Sequence, residues 1–549
     1  MLFLPVIERE LRVASHQART WWRRVLVALV GLVVLALVYF ESSRWANAPR
    51  IGGEMFIAFS VLVFVFCLLA GPLSTSDCLT AEKQQGTLGL LFLTRLRSHD
   101  VVLGKMWGAS VSALYGLLAL LPLLSLPLLL GGVGLRQLWM AALSFLVVLF
   151  LSLATGMFAS ALVRRSLAAF VLTMIVLAFL TIGLPVIGEE FLGIRLHSHR
   201  LAPFFYAPCP LLSMESIFSP GRAPVWRFWL NLGCMSGLSL VLFIASCWLT
   251  ARAWRDRPPS AAGASWRERI HRWSVGDAQA RLAYRRRALN LNPVFWLDDR
   301  YRLRKTILWG CFLLFVTFWM VQWQWEGRYW IRYDAVVTVG LSLQYVLGFW
   351  LAVEAARRFA EDRQTGALEL MVCAPLTNAE IVRGRLKVLC WQFGWVVLAS
   401  LAFCVFLLIV NVLKWNSVVL YWRDDFTLAC LGGIILFPLQ LAYTALVGLH
   451  QGLTHRTVLQ AAFATVWRVL LLPWLAFVLF AIADDLVRHR LGIRIFTLSD
   501  KMVILIWFAL FLFCGLGFAL RAGWCLRTQF RTLAARAVGD RWWWRLLRI

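Results

Sequence analysis

The residues of this chain that are spaced to do work are charged, and they occur twice. The segment DCLTAEKQQGTLGLLFLTRLRSHDVVLGK (77–105) aligns without a gap on RRFAEDRQTGALELMVCAPLTNAEIVRGR (357–385), 280 residues later. Gly86 falls on Gly366, Leu88 on Leu368, Leu96 on Leu376, Asp100 on Glu380, Val102 on Val382 and Gly104 on Gly384. In the second copy, acidic and basic residues lead into Gly366, and a short apolar helix over 367–372 follows. Pro375-Leu376-Thr377-Asn378 then stops that helix and starts another, because Thr377 or Asn378 caps a helix that has Glu380 in its first turn. This chemistry is mechanical rather than covalent: a helix–break–helix at a membrane surface is suited to receiving a push from a soluble partner. The chain contains no GxxxxGK[ST], HExxH or GxSxG and no zinc-spaced Cys/His set. It is therefore expected to be no enzyme, with no catalytic, cofactor-binding or metal-binding residues and no way to cradle ATP phosphates through a P-loop.

The elements that position these segments are set by composition. The chain has 549 residues, of which 61% are hydrophobic and 15% charged, and its mean hydropathy is +0.73. A soluble domain does not need so much apolar residue. Apolar runs of about 20 residues match a hydrocarbon core about 30 Å thick. Twelve such runs are expected, six in each half of the chain. In the first half they lie near 25–40, 55–76, 106–131, 138–163, 167–187 and 228–251. In the second they lie near 307–325, 335–353, 388–413, 428–449, 458–483 and 503–524. The fold class is thus an all-α polytopic membrane protein of about twelve transmembrane helices in two parallel six-helix repeats.

A net charge of +27 invites a nucleic-acid reading, but the basic residues flank apolar runs instead of forming one stripe. That is the positive-inside pattern, and it predicts no nucleic-acid partner and cytoplasmic N- and C-termini. An even number of spans per module puts both repeated segments on the cytoplasmic side. The predicted organisation is a first module over 1–255 (interfacial helix 5–24, coupling segment 77–105) and a basic linker over 256–290, flexible where it reads PPSAAG. A second module over 291–526 follows (interfacial helix 293–305, coupling segment 357–387), and then a basic tail over 527–549. The longest outer loop, 188–226, is proline-rich and has room for a short interfacial helix. The twelve Cys lie almost entirely in or beside apolar runs and lack any CxxC, so they read as membrane-core residues.

Carried by these segments, the chain resembles the type-2 ABC transporter permeases, whose cytoplasmic segment after the second span reads E…xGxLExLLxxPLsxxEIvxGK. The second copy matches at Glu361, Gly366, Leu368, Glu369, Leu370, Pro375, Leu376, Glu380, Ile381 and Gly384. The first is more worn: it keeps Glu82, Gly86, Thr87, Leu88, Leu90, Leu91, Asp100 and Gly104, but has Gly89 and Arg95 where the second has Glu369 and Pro375. The resemblance implies two six-span halves, here fused, driven by separate cytoplasmic ATPase subunits that hold ATP and Mg. The ATPase-coupling interface it implies comprises Glu82, Gly86, Thr87, Leu88, Glu361, Gly366, Leu368, Glu369, Pro375 and Leu376. It also implies a bacterial plasma (inner) membrane location and export, and it leaves room for additional membrane subunits.

Two other classes compete. An ion-coupled secondary transporter needs ionisable groups near the bilayer midplane, and most spans have none. Glu354 and His450 are expected to snorkel at span ends, as is Arg468. Gln322, Gln344 and Gln440 are expected to bond between helices. A non-transporting membrane scaffold, recruiting partners through the basic linker and tail, is the other alternative. Transport by the chain alone under a proton or sodium gradient without ATP favours the first, and an ATPase that co-purifies with the chain discriminates against the second.

Overall fold

The computed structural model describes residues 18–43, 47–93, 97–187, 207–218, 224–253, 278–299, 303–326, 333–414, 420–455, 457–490 and 500–535. Among them there is no strand, and twelve helices are long and apolar enough to cross a membrane. The protein is a multi-pass, all-α integral membrane protein. The chain divides into two compact units, Met1–Pro258 and Pro259–Ile549, with six of the twelve helices in each.

In the first unit, span 1 is Ala18–Ser42, span 2 Ala48–Ser74, span 3 Ser98–Leu124 and span 4 Leu135–Leu162. Span 5 covers 166–187 and span 6 is Val225–Ala253. Its core is built on Phe59, Phe145, Leu117 and Leu120. Spans 2 and 4 meet where side chains are small: a Cβ on Gly71 would sit 1.9 Å from the Ser152 carbonyl oxygen. Close backbone approach through glycine and serine is how helices associate when burial from water supplies no drive. Pro72 has no N–H, so the Leu68 carbonyl loses its helical donor. Ser152 Oγ donates to that carbonyl at 2.6 Å and accepts from Gly71 N at 2.9 Å.

The second unit follows the same plan. Span 7 is Leu303–Glu326, span 8 Tyr333–Gln364, span 9 Asn378–Lys414 and span 10 Leu420–Thr454. Span 11 covers 458–490 and span 12 is Asp500–Thr528. Phe359, Phe393, Leu449 and Phe530 are central to its core. Span 10 approaches span 8 through Gly448 and Gly452, whose added Cβ atoms would meet Ala355 and the Ala356 carbonyl oxygen.

A feature absent from the sequence reading repeats in spans 5 and 11. Each carries one π-helical turn, Phe179–Gly183 and Trp467–Leu471, followed at once by Leu-Pro. The N–H groups of Leu184 and Leu472 reach back five residues, to Phe179 and Trp467. A proline two positions beyond the turn removes the next donors' competition, and the wider turn takes up the slack.

The flanking segments depart from expectation. Of the predicted interfacial helix 5–24, residues 5–17 lie outside the described residues, and 18–24 run unbroken into span 1. The second interfacial helix is shorter than predicted, Pro293–Asp299, with Leu303 already in span 7. The linker's described part is helical, Ala278–Leu291, since its Ala, Leu and Arg residues are good helix formers. Its Ala288 packs with Phe295 and Val388. The helix within the loop 188–226, Pro210–Phe218, is part of the core: Pro210, Ser213, Met214 and Ile217 recur at helical spacing and are buried. The tail's first residues form Phe530–Ala535, with Phe530 fully buried against Phe359 at a ring separation of 5.4 Å. Residues 536–549 lie outside the described residues.

Candidate functional site

Both repeated segments fold into an elbow. In the first, span 2 turns at 75–77 into a helix, Cys78–Gln85, then Gly86, a short helix Leu88–Leu93, and span 3. In the second, span 8 runs straight to Gln364, and Gly366, a short helix Ala367–Cys373 and span 9 follow. Gly86 (φ 71°) and Gly366 (φ 75°) are both left-handed, and no atom lies within 4 Å of an added Cβ at either. Backbone conformation alone therefore demands glycine at these two corners.

Matching positions make matching contacts. Leu88 and Leu368 point inward and are 4% and 2% exposed, whereas Leu90 and Leu370 point outward and are 61% and 75% exposed. Leu93 and Cys373 are exposed as well. Asp100 accepts from the Arg97 N–H at 3.0 Å, and Glu380 accepts from the Thr377 N–H at 2.8 Å, so each following span starts on the same cap. Thr377 Oγ1 returns the bond by accepting from Glu380 N at 3.3 Å.

Two further pairs tie each elbow to its unit. Lys105 Nζ lies 2.8 Å from Glu82 Oε1, and Arg385 pairs with Asp362 at the equivalent positions. Asp362, not Glu361, is thus the structural counterpart of Glu82. Lys83 Nζ donates to the carbonyls of Ser160 (2.9 Å), Ala161 and Val163 at the end of span 4. Arg363 does the same for span 10, donating to the Leu453 carbonyl, and also reaches Leu533 O (3.0 Å) and Ala534 O (3.3 Å). A cation at a helix C-terminus satisfies carbonyls that have no intrahelical donor and meets the favourable end of the dipole.

The other predicted site residues have local roles. Thr87 Oγ1 donates to the Glu82 carboxylate, and Thr87 N donates to the Glu82 carbonyl at 3.1 Å. Glu361 lies 3.8 Å from Arg357. Glu369 and Pro375 are exposed, and Leu376 offers its carbonyl to Arg531 at 3.2 Å. The elbow of the second unit is thereby held by the helix Phe530–Ala535, within the segment 527–549 that the sequence predicts as a basic tail.

The second unit adds a buried ionic cluster. Glu354 accepts from Arg304 (3.1 Å), Arg357 (2.7 Å) and Arg358 (3.4 Å). Asp298 joins Arg358 at 2.5 Å and also joins Arg385. Glu354 is 6% exposed, so it does not snorkel as expected of a span-end charge, and Arg385 beside it is 1% exposed. Counting Glu361 and Asp362, four carboxylates face four guanidinium groups. Burial pushes the Asp298 carboxyl upward, but Arg385 and Arg358 outweigh it and hold the group below the usual carboxylate range. The cluster joins the helix Pro293–Asp299 to spans 7, 8 and 9. The first unit has Ser74, Asp77 and Cys78 where the second has Glu354, Arg357 and Arg358, and among its described residues it keeps the Glu82–Lys105 pair of this set. A signal for it stood in the sequence: Lys105 and Arg385 close the two aligned segments, each after a glycine and 23 residues beyond an acid.

Elsewhere, Gln344 Nε2 donates to Gln440 Oε1 between spans 8 and 10, as expected of bridging amides. Gln322 lies where no side chain is described. Arg468 donates to the Ala464 carbonyl of its own helix at 3.0 Å, inside the π turn. Among the described residues no three His, Cys, Asp or Glu side chains group as a metal site.

These features define a multi-pass membrane protein of transporter-like organisation, built from two six-span units with one elbow each. No protein-family model matches the chain, and no curated protein matches it in sequence.

Proposed function

We propose that this chain is the membrane-spanning permease subunit of an ATP-driven transporter of the type-2 ABC kind, an exporter, working with separate ATPase subunits. The observation that carries the reading is the pair of elbows. Each follows an even-numbered span, turns on a left-handed glycine, buries one leucine and presents another outward. On each elbow the exposed side chains (Leu90 and Leu93 on the first; Leu370 and Cys373, with Glu369 beside them, on the second) form a small apolar knob of the kind a groove on a soluble partner receives.

Force enters through that knob. In the second unit it passes from Ala367–Cys373 to span 8 through Gly366, and to span 9 through Asp362–Arg385. The charge cluster makes the helix Pro293–Asp299 and spans 7–9 move as one body. Among the described residues of the first unit, Glu82–Lys105 and Lys83 do this, a smaller set than the second unit's cluster. ATP and Mg belong to the partner, which hydrolyses the nucleotide; this chain's residues receive motion. The placement of Lys and Arg supports a bacterial inner membrane with both termini cytoplasmic.

The test is co-purification with a P-loop ATPase from native membranes, followed by ATPase and transport assays in vesicles. Leu370→Glu is expected to abolish both the association and the transport while leaving the folded chain intact. Transport under a proton or sodium gradient without ATP would refute the proposal in favour of a secondary transporter. A folded chain that binds no ATPase would favour the scaffold.

A further inference from the structure

Spans 10, 11 and 12 bring three basic side chains together in the second unit, and the elbow mechanism uses none of them. Val447, Val469, Ala519 and Ala522 pack as one cluster between these spans. His450 stands one turn beyond Val447 on span 10, Arg468 is next to Val469 on span 11, and Arg521 is next to Ala522 on span 12. The two guanidinium groups are close enough for their charges to interact, and both act on His450.

No acid of the chain answers them. Among the described residues neither Arg468 nor Arg521 pairs with a carboxylate. Arg468 uses one N–H on the Ala464 carbonyl at 3.0 Å. Its Nε and Nη2 have no partner among the described residues, and both keep accessible surface. Arg521 is exposed. Two like charges on membrane helices are costly unless an anion sits between them. Around Arg385 the chain supplies that anion itself, from Asp298 and Asp362; around Arg468 it comes from outside.

The surroundings indicate its source. Trp467 precedes Arg468 and Trp524 stands one turn beyond Arg521, and the two are 44% and 57% exposed. Exposed Trp on membrane helices marks the depth of the lipid headgroups. From that depth an exposed leucine leads into the apolar part of each span, Leu471 on span 11 and Leu520 on span 12. Guanidinium forks suit a phosphate, and the leucines suit the chains attached to it. The device is not part of the repeat, because the matching π turn of the first unit has Leu180 where the second has Arg468.

We propose that Arg468 and Arg521 together hold the phosphate of one anionic phospholipid, whose acyl chains lie along the exposed leucines of spans 11 and 12. Phosphatidylcholine offers the same phosphate but brings a cation of its own to the two arginines, so the site selects against it. The proposal does not depend on ATP coupling, since it needs only that these helices cross a membrane.

The probe is phosphatidylglycerol with a diazirine on one acyl chain. It is titrated into phosphatidylcholine nanodiscs holding the full chain, irradiated, and its adducts are mapped by mass spectrometry. Saturable labelling is expected on peptides spanning 463–475 and 513–524, displaced by unlabelled phosphatidylglycerol. Arg521→Gln changes an exposed side chain, so the fold is not at risk, and it is expected to weaken labelling about fivefold. Adding Arg468→Gln is expected to bring the loss beyond about tenfold, whereas Arg468→Lys, which keeps the charge but not the fork, falls less than Arg468→Gln. Arg527→Gln, a basic residue in the last turn of the same span, is expected to leave labelling within about twofold. Labelling untouched by Arg521→Gln would overturn the site. Equal losses in Arg527→Gln and Arg521→Gln would replace it with a diffuse attraction to the whole basic surface. Equal labelling by a phosphatidylcholine probe would overturn the selection of an anion, and displacement by inorganic phosphate would overturn the lipid as its bearer.

Discussion

Arg385 is the residue whose removal distinguishes a structural strut from a solvated charge. Its side chain is 1% exposed and lies between Asp298 and Asp362, with its guanidinium 5.4 Å from the Phe359 ring. Replacing Arg385 with Ala leaves the mostly buried Asp362 without its ion-pair partner and Asp298 with Arg358 alone. Breaking a buried pair from one side costs about 3–5 kcal/mol, because the orphaned charge stays out of water. Lys105, its counterpart in the first unit, is 17% exposed and its partner Glu82 22%. Water reaches both groups, so Lys105→Ala is expected to cost about 1 kcal/mol or less. The assay is unfolding of the purified chain in mild detergent, followed by denaturant titration and by the melting midpoint. The expected order is Arg385→Ala far below Lys105→Ala, with partial recovery when Asp298→Asn and Asp362→Asn are added. Equal and small losses for the two single variants would refute the idea that burial makes the second elbow's pair the stiffer link.

Other outcomes follow from the same geometry. Gly86→Ala and Gly366→Ala should each lower stability by roughly 1–2 kcal/mol, the cost of a side chain in the left-handed region, measured by the same titration. Gly452→Ala should cost more, because the new Cβ would lie 2.5 Å from the Ala356 carbonyl oxygen; equal effects at 366 and 452 would count against that packing. Asp298 has its carboxyl held below the ordinary value, so its contribution is present above the unfolded-state pKa and is lost as pH falls through the lower folded value. Stability of the native chain should therefore fall on acidification more steeply than that of Asp298→Asn. Ser152→Ala should destabilise by about 0.6–1.7 kcal/mol, the range for polar contacts between membrane helices, by stranding the Leu68 carbonyl.

Much of this protein was written along the chain. Twelve apolar runs predict twelve spans because a hydrocarbon solvent forces long apolar helices, a requirement local in sequence. The repeat at 77–105 and 357–385 located both elbows, and Gly86 and Gly366 marked their corners, since a left-handed residue needs glycine whatever surrounds it. The capping role of Glu380 was also legible, because its partner Thr377 is three residues away. What the chain alone did not disclose is what depends on distant partners. Glu354 and Arg385 look like span-end charges until Asp298 and Arg304 are folded beside them; burial and pairing are properties of neighbours, not of residue type. Phe530 and Arg531 read as a basic tail because only the packed span 8 and elbow supply the surface they cover. The apolar space lined by Trp474, Phe477 and Trp507 belongs to five converging helices of the second unit, and the π turns of spans 5 and 11 go with a proline whose effect depends on the helix around it.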